Sequence, residues 1–270
     1  MLGSKDVPEW NSLCVRAIQL ANGISGASKG RFLGRSRLAK FIMATCAALP
    51  LMGMAGLNEQ DYMPDVIQRL DRAKSALESG QLSIALANTR VILHDQGLKV
   101  YMDLSATPEN QVNDCKNASA KALKFWNETL DNSCPLTFVD RADQADVKIV
   151  FQQSVTLDGV QVGGYCENAR SVSVRSNGEA DAVYSGTIFA RFTQPNGRPM
   201  SYAHLVNVVT HEFGHVFGLS DTADQSHLMG PLNLGKPKSE LNAEEVEAIR
   251  RLRTMAFDIQ RNVLAKAKGL

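Results

Sequence analysis

An α+β fold is predicted by three observations along this 270-residue chain. Helical periodicity dominates up to residue 97, and from Leu98 onward short strand-like alternations are interleaved with helical stretches. A strongly apolar helical run covers 202–218, and a last amphipathic stretch follows Asn242. The formal net charge is +1 at pH 7, so neither nucleic acid nor an anionic membrane is implied as a partner.

Arg31, Arg35, Arg37 and Lys40 precede the apolar segment 41–55, which is short for a spanning helix and is interrupted by Pro50. A basic flank, an apolar core and small residues beyond it read as a signal peptide, with a short membrane tether as the alternative, and residues 1–56 are assigned to this leader. Stretches 65–80 and 81–93 have the spacing of two helices joined at Ser79-Gly80, with Ala73, Ala76, Ala85 and Ala87 small enough for close packing. Residues 57–97 are therefore expected to form a helical hairpin extension that serves as a pro-segment, a partner-docking arm or a spacer, or that simply packs on the domain. His94 is read as a helix-surface residue.

The remainder, 98–270, is assigned to one domain. Segment 98–104 alternates like a strand, 108–132 holds an amphipathic helix carrying Ala118, Ala122, Phe125 and Trp126, and 135–140 and 145–151 read as further strands. Two more strands, 170–175 and 185–192, come before the apolar helix. The intervening loop, 177–184, carries Gly178, Glu179 and Asp181, whose oxygens suit calcium, although a solvated turn is the simpler reading. Asn242 and Glu245 form a capping-box pattern ahead of a stripe of Val246, Ile249, Leu252, Met255, Ile259 and Val263, a helix expected to pack beneath the functional site.

The chemistry is concentrated in His211-Glu212-Phe213-Gly214-His215, followed by Gly218 and Asp221. On a helix capped by Ser201, His211 and His215 lie one above the other about 6 Å apart, a spacing at which two imidazoles share one metal. Zn²⁺ suits two nitrogens and a carboxylate with a fourth position left to water. Gly218 permits a positive-φ exit from the helix, so that Asp221 can turn back as third ligand. Glu212 follows the first ligand directly and is expected to act as general base beside the metal rather than join it. His227 is a rival third ligand, because it too lies in a loop beyond the helix; His204, two turns before His211, is too distant and is assigned to the cleft wall or the surface.

With this extended HExxHxxGxxD pattern the chain resembles the metzincin zinc metallopeptidases, matrixin-like in layout and snapalysin-like in its aspartate. The resemblance implies a mixed, mostly parallel twisted sheet, a long zinc helix, and Met229 in a methionine turn, eight residues beyond Asp221. It also implies an antiparallel edge strand that binds an extended peptide, either 163–167 or the strand at Arg170, and an outer wall of the specificity pocket from Pro231 to Gly235. Five cysteines are present, and loss of the leader would leave Cys115, Cys134 and Cys166, among which Cys134 with Cys166 is the expected pair if the chain is exported, with three reduced thiols as the alternative. No thiol lies in 57–97 to mask a metal, so inhibition by the hairpin would be steric or would use Asp61 or Asp65. The expected function is a secreted or periplasmic zinc endopeptidase acting on an extended peptide. The alternative is a catalytically silent binding module whose zinc is structural and whose helical arm engages a partner protein.

Overall fold

The computed structural model describes residues 59–269, so the leader, with its apolar segment 41–55, Cys14 and Cys46, lies outside the described residues. Helices α1 (Pro64–Glu78) and α2 (Leu82–Leu93) form the hairpin. Pro64 opens α1, where its missing N–H and fixed φ cost nothing, and Gly80 makes the turn between the helices at φ 76°. His94 ends α2 in the left-handed region and is buried against the metal helix, contrary to the surface position expected for it.

Then follow β1 (Leu98–Asp103), α3 (Glu109–Thr129), β2 (Leu136–Phe138) and β3 (Val147–Gln152). A small hairpin of β4 (Val155–Leu157) and β5 (Val160–Val162) precedes β6 (Gly164–Val174) and β7 (Ala180–Arg191). The main sheet has the order β2-β1-β3-β7-β6: four parallel strands with β6 antiparallel at one edge. Expected strands 163–167 and 170–175 are thus one continuous strand, and both candidates for the peptide-binding edge are parts of β6. The loop expected over 177–184 shrinks to a turn around Gly178, because Asp181 and Tyr184 are already in β7. There Arg175 takes up the carboxylates of Glu179 and Asp181.

Helix α4 (Tyr202–Val216) runs beneath the sheet and is apolar nearly all round, with Leu205, Val206, Val208, Val209, Phe213 and Val216 buried. The C-terminal α5 (Ala243–Ala267) begins with a complete capping box between Asn242 and Glu245. Its buried face, Ile249, Leu252, Ala256, Ile259 and Val263, packs chiefly on α2 and α1; Val246, expected on that stripe, is exposed.

One hydrophobic core joins helices α1–α5 with β1, β2, β3 and β7, including Val66, Leu70, Ile92 and Leu93 of the hairpin. The hairpin is a layer of the same core rather than a free arm. Cys115 and Cys134 are buried thiols and Cys166 a half-buried one, all free, so the expected Cys134–Cys166 pair does not form. Among the described residues no helix is long and apolar enough to cross a membrane.

Candidate metal centre

Helix α4 starts where Ser201, in extended conformation, accepts a hydrogen bond from the His204 N–H. It ends at Val216, and Gly218 leaves it at φ 94°, the turn the sequence called for. A side chain at 218 would also crowd Val66 and Leu252, which tightens the requirement. The exit carries Asp221 back over the helix. Nε2 of His211 lies 3.1 Å from Oδ1 of Asp221, and Nε2 of His215 lies 3.5 Å from the same oxygen. Donor atoms of the three residues all fall within 4.8 Å of one another.

The donor set fits zinc. Ligand atoms about 2.0–2.1 Å from a tetrahedral ion stand roughly 3.3 Å apart, which is the spacing of these nitrogens and this oxygen. Tautomers agree as well. Nδ1 of His211 donates to the Leu228 carbonyl at 2.8 Å and Nδ1 of His215 to the Leu219 carbonyl at 2.9 Å, so the Nε2 that faces Asp221 is the nitrogen left to bind an ion when the ring is neutral, or to donate to Asp221 when the ring is protonated. Burial opposes a charge on His211, yet the hydrogen bond to Asp221 and the nearby Glu212 carboxylate outweigh it and raise its pKa to about 9. Burial likewise works against ionisation of Asp221, but hydrogen bonds from the two histidines hold it well below the usual carboxylate range. His227 stands apart from the cluster, with Nε2 facing Glu244 at 3.5 Å and Asp224 at 3.7 Å.

Glu212 is 3% exposed, and its Oε2 has no hydrogen-bond partner. Burial pushes its pKa up, partly countered by the two histidines. This orphaned carboxylate oxygen lies 3.9 Å from Nε2 of His215. β6 passes so close that a Cβ at Gly164 would sit 2.8 Å from Oε1 of Glu212 and 2.7 Å from the Phe189 carbonyl. Only glycine lets the edge strand approach the carboxylate this far.

Met229 is buried under α4, where its Sδ occupies the space a side chain at Gly214 would need. Its N–H donates to Oε1 of Glu245 at 2.7 Å, and its carbonyl accepts from Thr222 at 3.0 Å. The methionine loop, the Asp221 loop and the start of α5 are thereby locked together. At Gly230 the Asp224 carbonyl fills the place of a Cβ. His204 is buried, bonded to Ser201 and, through Nε2, to the Leu234 carbonyl at 2.8 Å, so it anchors the wall 231–235 from behind.

Two supports escaped sequence reasoning. Arg170 on β6 is buried, pairs with Asp65 of α1 at 2.6 Å, and donates to the carbonyls of His215 and Val216 at 3.0 and 2.8 Å. A cation at the C-terminus of α4 complements the helix dipole directly behind a ligand. Asp65, entertained as an inhibitory group, is committed to this contact. Residues 61–63 also bridge onto the segment leading to Asp221: Met63 N–H donates to Gly218, Ser220 N–H to Asp61, and Tyr62 pairs with Leu219. No motif advertises either, since each depends on contacts between segments distant in the chain.

The metal set opens into a cleft of about 720 Å³ lined by Gly163, Gly164, Val208, Glu212, Leu232 and Leu234 among others. A family model described as matrixin matches residues 97–254. The chain is also 29% identical over 150 residues to interstitial collagenase of Equus caballus, an alignment covering 53% of this chain and 29% of that protein. It therefore spans under a third of that relative's length.

Proposed function

The chain belongs to the matrixin family of peptidases, and on that premise we propose that it is a zinc-dependent endopeptidase that cuts internal bonds of an extended peptide laid along β6. One observation carries the reading: the donor atoms of His211, His215 and Asp221 converge beside the unpartnered, buried Oε2 of Glu212 in a single cleft. The chemistry that zinc supplies in such a set is Lewis acidity toward a carbonyl and toward water.

The chain's own residues do the rest. Glu212 takes a proton from the attacking water and returns it to the amine nitrogen of the leaving half, a transfer favoured by its raised pKa. Backbone groups of β6, unpaired on the side away from β7, hold the peptide by strand addition. Val208 and Leu232, which flank Gly163, offer an apolar wall to the residue that follows the scissile bond. Asp221 as third ligand and Met229 beneath the site favour a snapalysin-like branch within the family. Export through the leader 1–56, with 41–55 as its apolar core, completes the reading and makes the protein secreted or periplasmic.

A silent binding module would need a fourth protein ligand and a free arm. His227 faces acidic side chains instead, and the hairpin's apolar residues are spent in the core. The test is to load the purified full chain with zinc, measure metal per chain, and digest a mixed peptide library with and without Glu212→Ala. Cleavage lost in the variant while zinc is retained supports the peptidase; a chain that takes up no zinc, or a library left intact, defeats it.

A further inference from the structure

Arg191, the last residue of β7, is 3% exposed and lines the same cleft as the metal ligands. A guanidinium so deeply placed is normally paired with a carboxylate. Among the described residues this one has no salt bridge: Nη1 reaches only the Val162 carbonyl at a long 3.5 Å, and Nε has no partner at all. Burial alone depresses its pKa, with no acidic neighbour to offset it. Arg170, equally buried and likewise without a partner at Nε, differs in that its Nη atoms are taken up by Asp65 and two carbonyls.

Position along the cleft follows from the backbone. Gly164 stands level with Glu212 and so with the reacting bond, while Gly163 touches Leu232 of the wall that receives the next substrate residue. Val162, on which Arg191 leans, is one residue further in the same direction. At about 3.3 Å per residue, the guanidinium lies two or three residues beyond the scissile bond on the C-terminal side of the substrate. Gln161, beside it in the cleft, adds a neutral amide and no competing charge.

We propose that Arg191 is a specificity-determining residue that binds a carboxylate carried by the substrate two or three residues after the cleaved bond. The shared chemistry is a carboxylate, from an acidic side chain or from the peptide's own C-terminus, held by charge-assisted hydrogen bonds from the guanidinium. The assignment rests on the peptidase reading for its direction, and its test separates the two.

Fluorogenic peptides differing only by Glu or Gln at the second or third position after the cleaved bond, and by a free or amidated C-terminus, are compared with the zinc-loaded full chain. The same peptides are titrated against the Glu212→Ala chain, which reads binding without turnover. About tenfold preference for one carboxylate-bearing peptide is expected in both kcat/KM and affinity. Arg191→Met should erase that ratio while leaving the neutral peptide within about twofold, and Arg191→Lys should keep part of it. Peptides bound with the preference but never cut would defeat the peptidase reading and leave Arg191 in place. Cleavage with no carboxylate preference in the unaltered chain would overturn the assignment, even if Arg191→Met failed to fold; absence of both binding and cleavage would overturn both.

Discussion

Asp221 is the most exposed member of the metal set, with 73% of its side chain accessible, yet two imidazoles hold it in place. Its exposure and its short tether from Gly218 make it the candidate ligand most easily tested alone. Asp221→Ala should weaken zinc affinity by at least about 100-fold, the upper range seen when mere supporting groups are removed. His227→Ala should leave affinity within a few-fold. Competition with a chromogenic chelator reads both, and the reverse ranking would make His227 the third ligand. Gly214 carries a second residue-scale prediction. A methyl there collides with Sδ and Cε of buried Met229, so Gly214→Ala should cost about 1–3 kcal/mol of stability by overpacking, measured by urea unfolding. Met229→Leu in the same chain would relieve part of that cost only if the clash is its origin.

At the scale of elements, α4 is held from both ends: Ser201 caps its start and Arg170 gathers the carbonyls at its finish. Arg170→Met would leave those carbonyls unsatisfied in the interior, at a cost of about 3 kcal/mol. The expected outcome is a lower unfolding midpoint with zinc affinity reduced through His215, and an unchanged midpoint would show that water replaces the guanidinium. The helices and their caps were legible in the sequence because their signals are local: the apolar period of 202–216, the Asn242-Glu245 capping box, Gly218. The small hairpin β4–β5 was equally signposted by Asp158-Gly159, which turns at φ 50° and 80°, but its strands are three residues each and too short to stand out. Arg170 and Glu245 illustrate what local patterns do not carry. One reads as a strand residue and the other as a cap, and their second partners are 45 and 16 residues away. The hairpin's role was similarly hidden, since two amphipathic helices look alike whether they bury their faces against each other or against the domain.

In the whole molecule the hairpin meets the metal helix through His94. Its Nε2 donates to the Val216 carbonyl at 3.2 Å, and its ring packs edge-on to Tyr184 at 4.5 Å and Phe217 at 6.2 Å. Burial first, then the positive charges of Arg170 and Arg253, keep it neutral and lower its pKa to about 3, against the small opposing pull of the Val216 hydrogen bond. Its unfolded-state pKa is near the ordinary imidazole value of 6.5. Between those two values the unfolded chain binds the proton and the folded chain does not. The stability that depends on neutral His94 is therefore complete above pH 6.5 and is lost as pH falls toward 3, at up to about 1.4 kcal/mol per pH unit. His94→Asn retains a residue that tolerates the left-handed conformation but removes the titration. Unfolding free energies from urea titrations at pH 7.5 and 5.0, taken at saturating zinc on both chains, should fall less in the variant by about 1–2 kcal/mol. Because every other titrating group is common to the two chains, an identical fall in both would mean that His94 is already protonated in the folded molecule, and the packing of hairpin on metal helix would have to accommodate a cation.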